Sequence, residues 1–268
     1  MSAHQHGHSH SHTHNHAEHD DAGMAELLEL DGTVLAAYLE EVMTWVAELA
    51  PEQPGRIVDL GAGTGNGSFA LAARFPTAEI IAVDNSPRML DRIRAAGDAR
   101  ITTLEADLAH GWPAVDSPSI VWAALSLHHV PDPEALLRQI RERLLPGGLM
   151  VISEMPDQPY FLAGDPWEER LHEAIASRHL GFDPHPDWTA TLEKLGFKAT
   201  RREFPIEVSE PRDLVRRYFL TFLRRMRAGL AEQLDAGDLH TLDRIVADDA
   251  AGLLPIVRTS RTVWVATN

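Results

Sequence analysis

The sequence predicts an α/β fold: a doubly wound, mostly parallel seven-stranded sheet with one antiparallel edge strand and helical lid insertions. Three observations carry this expectation. Five short β-rich runs alternate with helical segments between Arg56 and Glu154; a glycine-rich turn directly follows the first of them; and two longer β-rich runs lie near the C-terminus. Strands that alternate with helices are joined by crossovers, and crossovers place strands parallel.

In chain order, residues 1–21 form a separate region, expected to be disordered. Eight histidines sit there among small polar residues, with nothing apolar large enough to anchor the segment. Alternating imidazoles bind zinc, nickel or copper, but the simpler reading is a solvated tail that takes up divalent metal only incidentally. The remainder, 22–268, reads as one domain. Its parts are N-terminal helices (22–50), a core (56–155) and helical lid insertions (156–186 and 209–254).

From Met24 to Ala50 the apolar positions Leu35, Tyr38, Leu39, Val42, Trp45, Val46 and Leu49 recur at helical spacing. Asp31 is the expected N-cap dividing a short helix from a longer one. This N-terminal helix either closes over a ligand or serves a homodimer interface. The predicted strands are Arg56–Leu60, Ala78–Asp84, Arg100–Leu104, Ser119–Leu125, Gly148–Glu154, Lys198–Val208 and Val257–Thr267, the last two forming an antiparallel pair at one edge. Helices are expected at 68–74, 133–145, 166–180, 186–195, 210–234 and 238–253.

Composition narrows the function. The chain has 268 residues, a formal charge of -16 and no cysteine. Thiolate catalysis and disulfides are excluded, and so acidic a surface disfavours nucleic acid. No apolar run approaches the ~20 residues of a membrane span. The chain start lacks the apolar core of a signal peptide. A cytoplasmic protein that does not engage membranes is expected.

The central motif is Val58-Asp59-Leu60-Gly61-Ala62-Gly63-Thr64-Gly65-Asn66-Gly67. A dinucleotide site wants G-x-G-x-x-G, yet Asn66 stands at the third glycine position. The spacing G-x-G-x-G after an acid favours a ligand without pyrophosphate. Asp84 ends the second strand, where a carboxylate accepts ribose hydroxyls. Asp107 follows the third strand and suits an amino donor. Asp59 suits a ligand ammonium, directly or through water. Singly, each acid reads as a solvated turn residue; together, at strand carboxyl ends, they read as a site.

With these motifs and EADL, ALSLHHVPDPEALL and LLPGGLMVISE, the stretch Arg56–Glu154 resembles the class I S-adenosylmethionine-dependent methyltransferases. The likeness is to the small-molecule branch related to ubiquinone and menaquinone methyltransferases. The resemblance implies a Rossmann-like sheet and S-adenosyl-L-methionine as cofactor. It implies that the loop of Gly61, Ala62, Gly63 and Gly65 wraps the methionine part and that Asp84 binds ribose. Asn85 would lie against adenine, with Leu108 at the same end, and Asp107 would hold the adenine amino group. Ser119 departs from the family, which often has Asp there. No metal ligands are implied.

Methyl transfer needs a positioned nucleophile and sometimes a base. The candidates are His128 and Glu154, an imidazole oriented by a carboxylate; packing of the His128-His129 pair under the cofactor is the competing reading. Aromatics of the insertions (Tyr160, Phe161, Trp167, His172, His179, Phe182, Tyr218, Phe219 and Phe222, with Met226) are offered as an acceptor wall, although such stripes more often build core. Arg212, Arg216, Arg217, Arg224, Arg225 and Arg227 either hold an acidic substrate or form a solvated face, and the second reading is favoured. The competing functions are a cofactor-binding regulator without chemistry and a nicotinamide-dependent oxidoreductase.

Overall fold

A computed structural model describes residues 11–177 and 187–268. Seven strands form one sheet: β1 (Arg56–Leu60), β2 (Glu79–Asp84), β3 (Ile101–Glu105), β4 (Ile120–Ala124), β5 (Leu149–Glu154), β6 (Lys198–Val208) and β7 (Val257–Thr267). Their order is β3-β2-β1-β4-β5-β7-β6. The first five pair in parallel, and β7 runs antiparallel to both neighbours. The antiparallel strand therefore sits one place in from the edge, and β6 lies outside it.

Strand periodicity sorts the core into two faces. Ile57, Ile80, Ile120, Leu149 and Val151 pack with Val42, Met43, Trp45 and Val46 of α2 (Ala36–Leu49) and with Leu71 and Ala72 of α3 (Asn66–Arg74). Val58, Val121, Met150 and Ile152 pack on the opposite face. They meet Leu136, Leu137 and Ile140 of α5 (Pro133–Arg143) and Trp188 and Leu192 of α7 (Trp188–Lys194). α4 (Pro87–Ala96) closes the β2 side through Leu90 and Ile93. Its start is set by Ser86, whose hydroxyl accepts from Met89 N–H, with Pro87 in the first turn.

A third layer covers the carboxyl ends of the strands. α1 (Ser11–Val34), α6 (Pro166–Ser177), α8 (Arg212–Leu230) and α9 (Ala236–Ala247) share one buried cluster, including Leu30, Trp167, Val215, Phe219, Leu223 and Leu242.

Two expectations change here. The first helix begins at Ser11, inside the stretch expected to be disordered, whose residues 1–10 lie outside the described residues. Ala25, Leu30 and Val34 are buried and anchor the helix, and extending a formed helix costs little per residue. The break between α1 and α2 falls at Leu35, which has no side-chain cap. Asp31 stays inside α1 because its carboxylate is bonded elsewhere, to Tyr218 and Arg261.

Candidate functional site

The strand order reverses at β1, so the loops after β1 and β4 part and open a crevice. The crevice continues under the helical layer as a cavity of about 1520 Å³. That exceeds the ~300–1,000 Å³ usual for one small ligand and leaves room for two.

The glycine turn forms one wall. A Cβ on Gly61, at φ +68, would collide with the Ser126 side chain, whose hydroxyl donates to Leu60 O at 2.8 Å. Only glycine lets the two loops approach this closely. Gly63 N–H donates to Asp84 Oδ2 at 2.8 Å, and Ser86 N–H donates to Asp84 Oδ1 at 2.8 Å. Asp84 thus fixes the turn while its remaining lone pairs stay available to a ligand.

Asp59, Gly61, Ala62, Gly63, Asp84, Asn85, Asp107, Leu108 and His128 all line the cavity. Asp59 is 2% exposed, and Oδ2 accepts from Ser68 Oγ at 2.6 Å. Burial without a cationic partner pushes its carboxyl up to about 7; Ser68 pulls the other way. Asp107 caps a short 3₁₀ turn, accepting from Ala109 N–H at 2.9 Å. Two buried polar atoms of the same wall, Thr64 Oγ1 and Trp122 Nε1, have no hydrogen-bond partner among the described residues.

Gly65 is the exception among the turn residues: it does not line the cavity. Its φ is +94, and a Cβ there would lie 2.8 Å from Ile93 and Phe69, so it serves the packing of α3 on α4.

Beyond β4 the chain turns sharply at Leu125, at φ +53, a backbone state that costs a bulky residue about 1 kcal/mol or more. The turn delivers His128. Its Nδ1 lies 3.1 Å from Glu154 Oε2 at the end of β5. Glu154 is 1% exposed and lies behind the cavity wall rather than in it. Its carboxyl is raised by burial and drawn back by His128. With Glu154 ionised, the pairing favours the Nδ1–H tautomer and leaves Nε2 as the acceptor atom. His129 packs its ring 4.0 Å from that of His128.

The aromatics of the insertions divide between core and cavity. Phe161, Trp167 and Phe219 are core residues, and Phe161 packs edge-on to Tyr218 and tilted against Phe219 and Phe222. Tyr160 stacks on His172 at 3.8 Å away from the cavity lining. Tyr218, Phe222 and Met226 do reach the wall. His179 and Phe182 lie outside the described residues. On α8, Arg212, Arg217 and Arg227 pair with Glu210, Glu26 and Asp243 at the surface, as a solvated face would. Arg224 and Arg225 line the cavity.

Sequence reasoning missed Arg261, which lines the cavity and is 2% exposed. The available signal was weak, because Arg261 sits among the polar residues Arg258, Thr259, Ser260 and Thr262 of its own strand. Tyr38, on the N-terminal helix expected either to close over a ligand or to serve a dimer interface, lines the cavity, and its hydroxyl pairs with Ser153 Oγ at 2.7 Å.

Residues 35–201 match the family model described as a methyltransferase domain. The chain belongs to this family. Among curated relatives, it is 33% identical over 147 residues to a trans-aconitate 2-methyltransferase of Methylobacterium radiotolerans, covering 51% of this chain and 55% of that protein. It is 38% identical over 145 residues to the one from Variovorax paradoxus, covering 50% and 55%. The chain thus spans about half the length of the curated relatives it matches. Among solved structures, it resembles a putative type II methyltransferase from Anaeromyxobacter dehalogenans with TM-score 0.57 and 19% identity, covering 85% of this chain and 95% of that one. The YcgJ protein from Bacillus subtilis gives 0.56 and 15%, covering 87% and 98%. These likenesses show the Rossmann-like fold.

The methyltransferase domain is of the class I kind, with S-adenosylmethionine as its cofactor. The wall fits that group. Its carboxylates at β1, β2 and just past β3 line one wall with hydrogen-bond acceptors, the complement of a group rich in ammonium, hydroxyl and amino donors. Two unpartnered buried groups, Thr64 Oγ1 and Trp122 Nε1, await polar contacts. Among the described residues no lysine lines the cavity, and its arginines come only from α8 and β7. No helix of the described residues is long and apolar enough to cross a membrane.

Proposed function

We propose that this protein transfers the methyl group of S-adenosylmethionine to a small-molecule acceptor, with His128 as general base held by Glu154. The observation that carries the reading is the placement of Asp59, Asp84 and Asp107 along one end of a cavity large enough for cofactor and acceptor together.

The cofactor, when bound, supplies an electrophilic methyl on a sulfonium. The protein's share is binding, orientation and proton removal. Asp84 accepts the ribose hydroxyls while holding the glycine turn. Asn85 and Leu108 face the adenine, and Asp107 accepts from its amino group. Asp59 accepts the methionine ammonium, directly or through water, and that cation holds Asp59 ionised. Gly61, Ala62 and Gly63 present backbone to the methionine part. His128 Nε2 takes the proton of the attacking acceptor atom. Glu154 stays a carboxylate and stabilises the imidazolium.

The curated relatives are named for trans-aconitate, which makes it one acceptor to assay. Divalent metal on the histidines of residues 1–21 is incidental to this chemistry, so removing those residues leaves turnover unchanged.

The test is paired. S-adenosylhomocysteine should raise the melting temperature and NAD should not; the reverse identifies an oxidoreductase. Labelled methyl should then pass to some acceptor in a small-molecule screen. Cofactor binding with no transfer across the screen would favour the regulator reading.

A further inference from the structure

The charged side chains of the cavity wall are sorted by position. Asp59, Asp84 and Asp107 lie at one end. Arg224, Arg225 and Arg261 lie on α8 and β7, opposite. Arg224 is paired with Asp249, so the argument rests on Arg261.

Arg261 is almost wholly buried, yet it faces the cavity. Its Nη2 donates to Asp31 Oδ1 at 3.0 Å. Its Nη1 donates to Thr259 Oγ1 at 3.0 Å and to Ser260 O at 3.1 Å. A guanidinium has five N–H donors. Two of them, Nε–H included, have no partner among the described residues. Arg261 lines the cavity, so the donors left over from its packing contacts are placed to meet an acceptor bound there.

The arginine is held in place. Asp31 Oδ1 also accepts from Tyr218 Oη at 2.7 Å, which ties α1, α8 and β7 at one atom. One turn further along α8, Thr221 lines the same cavity. It is 4% exposed, and its hydroxyl has no partner among the described residues. β7 pairs with β5 so that Thr262 stands opposite Glu154. Arg261 therefore lies on the strand beside the carboxylate that orients His128.

We propose that Arg261, with Thr221, anchors a carboxylate of the acceptor and thereby presents a second group of the same molecule to His128. This rests on the methyltransferase reading above and names its substrate class. A carboxylate is favoured over a phosphate because two N–H donors on a planar fork match two coplanar oxygens. The Asp31–Arg261 pair is neutral in sum, so a single carboxylate adds one negative charge there where a phosphate dianion would add two.

The experiment uses the full chain saturated with S-adenosylhomocysteine. Benzoate, salicylate, malate and citrate are titrated against their amides by calorimetry, and the same panel is assayed for methyl transfer from labelled cofactor. At least one acid should bind, with its amide at least 30-fold weaker. Arg261→Gln should remove that preference while S-adenosylhomocysteine affinity stays within twofold. Should Arg261→Gln fail to fold, Arg261→Lys and Thr221→Val carry the test: each should weaken the acid about tenfold and leave the amide unaffected. Equal binding of acids and amides, no binding by any acid, or an undiminished preference in the variants would overturn the proposal. Failure of S-adenosylhomocysteine itself to bind would instead overturn the methyltransferase reading.

Discussion

Asp59 and Asp31 line the same cavity and face opposite problems. Asp59, at the core end, is buried beside a serine hydroxyl and has Asp84 as its charged neighbour. Asp31, at the helical end, accepts from both Arg261 and Tyr218. One carboxylate needs a cation that the chain does not supply. The other has already found one. A site for a cationic cofactor should carry its charge unbalanced until the ligand arrives, and only the core end does so.

This contrast can be broken by substitution. The largest effect is expected at Asp84. Asp84→Ala removes two backbone bonds of the glycine turn together with the ribose acceptors. Losing charge-assisted bonds worth about 1.5–3 kcal/mol each should weaken S-adenosylhomocysteine by about 100-fold or more in calorimetry. Binding within fivefold of the native protein would remove Asp84 from the cofactor site.

His128 comes next. His128→Gln and Glu154→Gln should each lower kcat about 100-fold, the low end of general-base effects. S-adenosylhomocysteine affinity should hold within twofold. Unchanged kcat would leave the pair a packing element.

Asp59 gives the third test, with a sign of its own. Its folded carboxyl titrates at about 7, above the ordinary carboxylate range. The protonated form is favoured by folding, so unliganded stability falls as pH rises from about 4 to about 7, and the deficit persists above that. Asp59→Asn should therefore raise the melting temperature of the unliganded protein at pH 8, by at most about 4 kcal/mol of stability. The ligand ammonium needs the ionised form, so native affinity for S-adenosylhomocysteine should strengthen through pH 7. Asp59→Asn should bind weakly at every pH.

Asp31→Asn should do the opposite to stability. It leaves the Arg261 charge buried without its counter-ion, at a cost of about 1–3 kcal/mol by denaturant melts, less than the full penalty because Asp31 is itself partly exposed. Smallest of all, Arg227→Ala breaks a surface pair with Asp243 and should cost less than about 1 kcal/mol.

The two ends also differ in how far they could be read from residues alone. The core end is written locally. Asp59 and the glycine turn are contiguous, Asp84 ends a strand whose apolar run is plain, and Asp107 follows a short β-rich run. Glu154 ends β5 and His128 lies on the turn after β4; that these strands are neighbours is what the family resemblance implies, and the sheet order agrees. The helical end is assembled from far apart: Asp31 meets Tyr218 across 187 positions and Arg261 across 230. Nothing near Asp31 signals a partner, and a helix-start residue type invited a capping role. Gly65 misled for a related reason. It belongs to the motif by spacing, but its missing side chain serves α4, which the motif does not contain.

The most direct test is a crystal structure with S-adenosylhomocysteine. The account predicts its amino group near Asp59, its ribose on Asp84, its adenine between Asn85 and Leu108, and its sulfur toward His128, with the Arg261 end left open. A ligand seated instead against Arg261 and Tyr218, with Asp59 and Asp84 uncontacted, would contradict it.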